Sequence, residues 1–195
     1  FTGNNIKVAA EFISEKPEYH KLHTQIIEYV RFLKECAEKE NISPGLLEAW
    51  FVFPEIKQNW LGYSRVGNSG AGLGLDFANA LHRNLGTIFS DFGEEQVTKG
   101  SHIEKLCLIR DGVGKDNISD FTTNLIKDYL LKYTQDFARI NLPPQHRRIV
   151  SVKRVKFNYQ TGSWQTGQYE LPWHNRDYVI LTPKDILTKD ETWIN

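Results

Sequence analysis

The segment from residue 121 to residue 137 carries the periodicity that most restricts how this chain can fold. Its apolar side chains recur at steps of three and four residues, which places them along one side of an α-helix. These side chains are Phe121, Leu125, Ile126, Tyr129, Leu130, Tyr133 and Phe137. The pattern predicts an amphipathic helix from 121 to about 139, capped by Ser119 or Asp120 and ending before the adjacent prolines at 143 and 144.

A short apolar run, Leu106 to Ile109, precedes this helix and predicts a buried strand that leads into the polar loop DGVGKDN. Asp111, Asp116 and Asp120 therefore lie near the predicted start of the helix. Carboxylate oxygens suit Mg²⁺ or Mn²⁺, and such an ion lowers the pKa of a bound water and polarises a phosphodiester. The three aspartates are thus candidate metal ligands. The alternative is that they only form the turn and cap the helix, as aspartate commonly does.

A Glu-x-Lys pair, Glu55 and Lys57, follows an aromatic segment at residues 49–53 that predicts a core strand. On a strand, alternation places both side chains of the pair on one face. The pair resembles the Glu-x-Lys of restriction-endonuclease-like nucleases, which holds Mg²⁺ and orients the attacking water. Glu55, Lys57 and Asp120 are therefore the candidate catalytic residues. The alternative is an exposed ion pair without a catalytic role.

The segment from Asn141 to Gln168 contains no acidic residue. Its cations are Arg147, Arg148, Lys153, Arg154 and Lys156. Many β-branched residues lie between residues 149 and 157, and Thr-Gly pairs follow at 161–162 and 166–167. This combination predicts a β-hairpin or small meander. Neither face of the first strand is cleanly apolar, which predicts a β-bulge.

Aromatic residues accompany these cations at Phe157, Tyr159 and Trp164. Clustered cations suit phosphate contacts, and flat aromatic faces suit exposed bases. The five cations are therefore candidate nucleic-acid-binding residues, with DNA or RNA as the partner. The alternative is a solvated edge strand that its charges protect from aggregation.

The remaining patterns complete a mixed architecture. An apolar stripe predicts a helix from Pro17 to about Asn41. A glycine-rich loop at residues 67–74 precedes a short helical pattern and offers backbone N–H groups for a phosphate, or it has no ligand. A strand is predicted from Tyr178 to Leu181, followed by a short helix that Thr182 caps. The order of these elements predicts an α+β or mixed α/β fold, with a central sheet flanked by helices and a basic hairpin in the C-terminal third.

Length and composition limit the class of protein. A chain of 195 residues suits one domain, spanning residues 1–195. It begins at Phe1 and contains no Met, from which we expect a fragment of a longer protein. Lys plus Arg equals Asp plus Glu at 24 each, so any attraction to nucleic acid is local. Cys36 and Cys107 match no disulfide framework, and no apolar run is long enough to span a membrane. We expect a cytoplasmic protein with no membrane partner.

The segments GKDNISDFTTNLIK and VILTPKDILTKDETWIN resemble patterns of uncharacterised bacterial proteins found among mobile-element or phage-defence genes. The resemblance is confined to these two segments and matches no named family. It implies a bacterial origin and favours nucleic-acid processing. It implies no catalytic residue.

The sequence supports two hypotheses from different classes. The first is a nucleic-acid-processing domain, in its sharpest form a metal-dependent nuclease that hydrolyses phosphodiesters with Mg²⁺ or Mn²⁺. The second is a non-catalytic module that contacts a protein partner or further domains of the same chain through an aromatic surface. The sequence leaves open whether the chain is an enzyme.

Overall fold

A computed structural model describes residues 4–6, 16–37, 42–59, 78–79, 82 and 115–189 of the chain. These residues form four α-helices and two antiparallel sheets, which confirms a mixed α+β fold. The helices are α1 (Pro17–Ala37), α2 (Pro44–Phe51), α3 (Lys115–Leu125) and α4 (Lys127–Asn141). The strands are β1 (Asn4–Ile6), β2 (Arg147–Asn158), β3 (Ser163–His174), β4 (Asp177–Tyr178) and β5 (Leu187–Lys189). The predicted strand at 106–109 and the glycine-rich loop lie outside the described residues.

The chain divides into two compact units. The first, which we call the hairpin unit, contains residues 1–6, 56–69 and 126–195. The second, the helical unit, contains residues 7–55 and 70–125. All five strands and α4 belong to the hairpin unit, whereas α1, α2 and α3 belong to the helical unit. That the chain is a single domain stays a prediction.

Helix α1 of the helical unit confirms the predicted apolar stripe. The buried residues on it are Tyr19, Leu22, Ile26, Tyr29, Val30, Leu33 and Cys36. One of its aromatic side chains reaches other elements. Tyr29 donates a hydrogen bond to the Trp50 carbonyl at 2.8 Å, and its ring lies 6.0 Å from that of Phe53. The stripe thus packs on α2 and on the segment that follows it.

The prediction of a core strand at residues 49–53 is wrong, because helix α2 continues to Phe51. Ser43 occupies its N-cap and accepts a hydrogen bond from the Leu46 N–H at 3.4 Å, and a proline occupies the first helical turn. These capping signals start a helix that overrides the strand preference of the aromatic residues. Phe51 and Phe53 are fully buried, so their place in the core was predicted correctly.

The single helix predicted from 121 to about 139 is instead two helices, α3 and α4, which meet at Ile126. The backbone there leaves the helical conformation, with φ −96° and ψ 11°. On α3, Thr123 and Asn124 donate to the carbonyls four residues earlier, at 2.7 and 2.9 Å. Such side-chain bonds bend helices. Ser119 and Asp120 lie inside α3, so the prediction that they cap the helix is wrong.

Helix α4 buries a different face from the predicted one. Its buried residues are Lys127, Leu130, Leu131, Thr134 and Ala138. Tyr133 and Phe137, predicted to face the core, are 39% and 41% exposed. Helix α4 begins separately at Lys127, so its buried face does not have to continue the apolar stripe of α3. The face with Leu131 and Thr134 packs inward instead.

Strands β2 and β3 form the predicted basic hairpin, and β4 extends it to a three-stranded antiparallel sheet. Asn158 stabilises the turn by accepting from the Gln160 and Thr161 N–H groups at 2.9 and 3.3 Å. Gly162 completes the turn with φ 60°. The turn signal at 161–162 is thus confirmed.

The second predicted turn, at residues 166–167, is wrong, since Gly167 lies within β3 and pairs with Val152. A side chain at Gly167 would lie 2.7 Å from the ring of Tyr169. The glycine therefore makes room for that ring.

A second tight turn joins β3 to β4. Its central residues, Asn175 and Arg176, have φ values of 47° and 68°, as a type I′ hairpin turn requires. In place of the strand predicted from 178 to 181, the structure has the two-residue strand β4, which ends at Tyr178. Pro183 occupies the N-cap position of a 3₁₀ turn at Lys184–Ile186, and no side chain forms a capping hydrogen bond there. The prediction of a helix that Thr182 caps is therefore wrong.

Helix α4 holds the sheet of the hairpin unit through polar contacts. Gln135 accepts a hydrogen bond from the Glu170 N–H of β3 at 2.9 Å. Asp128 accepts a hydrogen bond from the Tyr169 hydroxyl at 2.7 Å. A helix over an open strand edge satisfies backbone groups that would otherwise pair with another chain.

Candidate functional site

The basic residues of the hairpin are paired with tryptophan rings at two places. The Arg148 guanidinium lies 4.5 Å from the centre of the Trp173 ring, and that of Arg154 lies 5.0 Å from the centre of the Trp164 ring. A guanidinium over an indole face is an attractive cation–π geometry. Both pairs combine a positive charge with a flat surface, the two features that nucleic acid requires of a protein surface.

The predicted bulge is present and contains Arg154. Val152 pairs with Gly167 and Lys156 with Gln165, so residues 153–155 of β2 lie opposite one residue of β3. Arg154 has φ 54°, a value that residues other than glycine rarely adopt. Bulges re-aim side chains beside functional sites. This one sets the position of Arg154 at the middle of the hairpin.

An aromatic cluster lies between this bulge and the turn of the hairpin. The Phe157 ring centre lies 5.3 Å from that of Trp164 and 5.2 Å from that of Tyr159. Phe157 is buried, whereas Tyr159 is 45% exposed. The buried Phe157 ring therefore packs against Trp164, and Tyr159 offers an exposed ring near the turn of the hairpin.

The five predicted binding residues differ in how available they are. Lys153 and Lys156 are exposed and form no ion pair within the part of the chain that the structure describes. Arg147 is different, because its side chain is only 13% exposed and lies 3.5 Å from the Glu170 carboxylate. Glu170 also binds Arg139 at 2.9 Å. Arg147 thus serves a structural ion-pair network, and the other four remain candidates for phosphate contacts.

A further cation, Lys127, belongs to this surface and was not among the predicted binding residues. Lys127 lies at the start of α4, is 9% exposed, and donates to the Lys153 carbonyl in the bulge at 3.0 Å. Burial, and then repulsion by Arg154, lower the pKa of Lys127 to about 8. Its spacing of three and four residues from Leu130 and Leu131 is a sequence signal that it shares their face of the helix.

The lowered pKa of Lys127 predicts how the stability of the protein depends on pH. The unfolded lysine has a pKa of about 10.4, so between pH 8 and that value the unfolded state binds more protons. The free energy of unfolding therefore rises with pH in this range, by at most about 3 kcal/mol in total. Urea unfolding at pH 7.5 and pH 9.5 measures this rise in the free energy of unfolding, with Lys127→Met as the comparison for wild type. Both pH values lie below about 10, where tyrosine begins to ionise.

Two other groups limit the pH range of that comparison. Burial, then the hydrogen bond to Asp128, raise the pKa of Tyr169 well above its usual value. Burial, then the charge of Asp177, raise the pKa of Tyr178 to about 12. Both tyrosines lower stability as pH rises above about 10, because the unfolded tyrosines ionise first. If the free energy of unfolding rises equally in wild type and in Lys127→Met between pH 7.5 and pH 9.5, the rise does not come from Lys127.

The candidate catalytic carboxylates Glu55 and Asp120 belong to the helical unit, where Asn124 bonds the backbone of Asp120 and of the residue before Glu55. The Asn124 side-chain nitrogen donates to the Pro54 carbonyl at 2.8 Å and to the Asp120 carbonyl at 2.9 Å. Asn124 itself is 2% exposed. The residue directly before Glu55 and the residue Asp120 therefore contact the same amide group.

One carboxylate oxygen of Glu55, Oε2, is buried and has no hydrogen-bond partner in the described part of the chain. A buried carboxylate oxygen without a partner is costly, and such groups are common where a ligand or ion binds. Within the described residues, no group of three or more His, Cys, Asp or Glu side chains is arranged to hold a metal.

The other predicted site residues are placed as follows. Asp111 lies outside the described residues, and for Asp116 only the backbone is described, within α3. Asp120 lies four residues later on the same helix. Lys57 is exposed in a 3₁₀ turn of the hairpin unit, and Glu55 lies outside regular structure. The prediction that alternation along a strand pairs Glu55 with Lys57 is wrong, because no strand continues there. Their catalytic role stays a prediction.

Comparison with known proteins places the chain in a family. A family model described as Domain of unknown function (DUF8370) matches residues 9–195. No curated protein and no solved structure gave a significant match. No helix in the described ranges is both long enough and apolar enough to cross a membrane. Since the model covers nearly the whole chain, this protein belongs to the Domain of unknown function (DUF8370) family.

Proposed function

We propose that this chain is a nucleic-acid-processing domain whose hairpin unit binds single-stranded DNA or RNA. The observation that supports the proposal is the pair of arginine–tryptophan stacks along a hairpin whose strand β2 contains no acidic residue. Cations there can hold phosphates, while exposed parts of the rings stack on bases. We further propose a cytoplasmic location, since a sequence with two cysteines and no disulfide framework suits a reducing compartment.

Single strands fit this surface better than a duplex. Bases in a duplex are already stacked, so aromatic side chains at a protein surface reach them only in unpaired strands. The stack at Trp164 lies near the turn of the hairpin, and the stack at Trp173 lies near its other end. The two rings are an odd number of residues apart on β3, so alternation places them on opposite faces of the sheet, and each face offers one stack to a nucleic-acid strand.

Titration of a short labelled single-stranded oligonucleotide by fluorescence anisotropy tests this proposal. Removing two exposed charges together, Arg148→Gln and Lys156→Gln, is expected to weaken binding by roughly tenfold at low salt. The matched control is Lys21→Gln with Lys184→Gln, which removes two exposed charges that do not belong to β2 or β3. Equal affinities of the wild-type protein and the hairpin variant would contradict the proposal.

The sharper form of the proposal is metal-dependent hydrolysis of phosphodiesters in the helical unit. Glu55 and Asp120 would bind Mg²⁺ or Mn²⁺, with Asp116 and Asp111 as further ligands. Such an ion would stabilise charge on the phosphate and supply a water of lowered pKa. The observations that support this form are the shared contact with Asn124 and the buried oxygen of Glu55.

A second candidate function is a non-catalytic module that binds a protein partner. Helix α4 exposes an apolar row of Tyr133, Phe137 and Ile140, the last of which is 82% exposed. Exposed apolar rows of this kind occur at protein interfaces. This function is favoured if the wild-type protein binds no oligonucleotide and self-associates in a way that Ile140→Asp abolishes in sedimentation experiments.

A further inference from the structure

Strand β3 uses its backbone groups on both sides of the hairpin sheet. On the side away from β2, the Glu170 N–H donates to the Gln135 side chain at 2.9 Å. The Pro172 carbonyl accepts from the Val179 N–H, just after β4, at 3.0 Å. Successive residues of an antiparallel strand point their backbone groups to opposite sides. Residues 170 and 172 therefore direct their backbone groups away from β2.

The register of the hairpin then determines which residues of β2 point outward. Ile149 lies directly opposite Glu170. Since Glu170 bonds on its other side, this is a non-hydrogen-bonded pair, and the Ile149 N–H and C=O point away from β3. Alternation gives Arg147 and Ser151 the same direction. Strand β2 is the outermost strand of its sheet, so these groups form an open edge.

The protein itself closes both ends of this edge. The Arg147 N–H donates to the Pro144 carbonyl, and the Lys153 carbonyl accepts from an ammonium group at the start of α4 at 3.0 Å. Between these ends, the backbone groups of Ile149 and Ser151 have no hydrogen-bond partner in the part of the chain that the structure describes. The Ile149 side chain is 76% exposed. An unpaired strand edge of this kind is a template for another strand.

We propose that the outer edge of β2, from Arg147 to Lys153, docks an extended acidic segment of a partner protein, which joins the sheet as a further strand. In such strand addition, main-chain hydrogen bonds provide affinity and alternate side chains provide selectivity. The docking edge consists of backbone groups, so it does not depend on nucleic-acid binding by the hairpin.

The charge of β2 determines which partner fits. The strand contains no acidic residue, and the exposed cations Arg148 and Lys153 flank the open stretch. Opposite charges on adjoining strands stabilise their pairing, whereas like charges destabilise it. A second copy of β2 would bring cations against cations. An acidic strand with an apolar residue opposite Ile149 satisfies both the charges and the exposed side chain.

A labelled peptide of alternating valine and glutamate is the probe. The peptide residue directly opposite Ile149 shares its face and bonds to its backbone. With valine at that position, the valine N–H groups face β2 and the glutamates lie on the face of Arg148. We expect saturable binding to the full chain by fluorescence anisotropy. N-methylation of the valines removes the donors that face β2 and should weaken binding by roughly tenfold or more.

N-methylation of the glutamates gives the matched control on the peptide. It adds the same groups, but they face away from β2, so binding should be nearly unchanged. Equal losses for the two methylated peptides, or no binding of the unmethylated peptide to wild type, would overturn the docking edge. Equally tight binding of a valine–lysine peptide would overturn the acidic partner.

Ile149→Pro tests the same edge from the protein side. Proline removes the outward N–H without breaking a bond between β2 and β3, and edge strands tolerate it where the N–H faces solvent. We expect roughly tenfold weaker peptide binding. Ile149→Ala keeps the N–H and should weaken binding less. Equal effects of the two substitutions would assign binding to the side chain and overturn the edge. Weaker oligonucleotide binding in Ile149→Pro, with no peptide bound by wild type, would assign the edge to nucleic acid and overturn the protein partner.

Discussion

Glu55→Gln is expected to lower metal-dependent cleavage of a single-stranded oligonucleotide by about 10²–10⁴-fold, the range typical for losing a group that handles the proton or the metal-bound water. Glutamine keeps the size of the side chain but removes the negative charge that a divalent cation requires. Oligonucleotide affinity should stay within twofold of wild type, because the predicted binding residues belong to the hairpin unit. Cleavage rates with Mg²⁺ and with Mn²⁺, measured under single-turnover conditions, give this comparison.

Glu48→Gln serves as the control for that substitution. Glu48 is exposed on α2 in the same unit, and the change in charge and shape is identical. Cleavage by this variant should match wild type. If wild type cleaves and Glu55→Gln cleaves at the same rate, Glu55 is not a catalytic residue.

Phe53→Ala is expected to cost about 3–5 kcal/mol in the free energy of unfolding. Phe53 is fully buried, and its ring centre lies 4.6 Å from that of Phe121 and 6.0 Å from that of Tyr29. Truncation removes both edge-to-face contacts and leaves a cavity where three parts of the helical unit meet. Urea unfolding of the purified protein measures the loss.

Leu46→Ala gives the matched comparison for core burial. Leu46 is 41% exposed on α2, so its truncation should cost well under about 1 kcal/mol. A loss below about 1 kcal/mol for Phe53→Ala as well would contradict the packing around Phe53.

Two elements of the fold were predictable from local patterns. Helix α1 follows from one long stripe, whose residues from Tyr19 to Leu33 are all in the core. The hairpin follows from β-branched residues and the turn at Thr161, and its bulge follows from the lack of one apolar face. In both cases the same side chains that set local structure also face the core.

Other elements depended on competition that a pattern does not reveal. Aromatic residues at 49–53 favour strands, yet the cap at Ser43 starts a helix that runs through them. The stripe at 121–137 fits one helix, yet the backbone leaves the helical conformation at Ile126, and Tyr133 is exposed. Side-chain bonds from Thr123 and Asn124 depend on the folded backbone, so periodicity alone does not indicate this interruption.

The candidate site was predictable in composition but not in geometry. An acid-free cluster of cations was visible in the sequence, whereas the ion pair that occupies Arg147 depends on Glu170 from the next strand. Asn124 donates to the Asp120 carbonyl one helical turn away, and its second contact, to Pro54, joins residues 70 positions apart in sequence. Lys127 was not predicted as a binding residue, because a lysine on a helix is normally exposed.

The salt dependence of oligonucleotide binding tests the central claim most directly. Four candidate cations, Arg148, Lys153, Arg154 and Lys156, predict a slope of about −3 for log affinity against log salt with single-stranded DNA. The variant with Arg148→Gln and Lys156→Gln should show about half that slope, with Lys21→Gln and Lys184→Gln unchanged. A wild-type slope near zero, or equal slopes in wild type and the hairpin variant, would contradict phosphate binding by the hairpin.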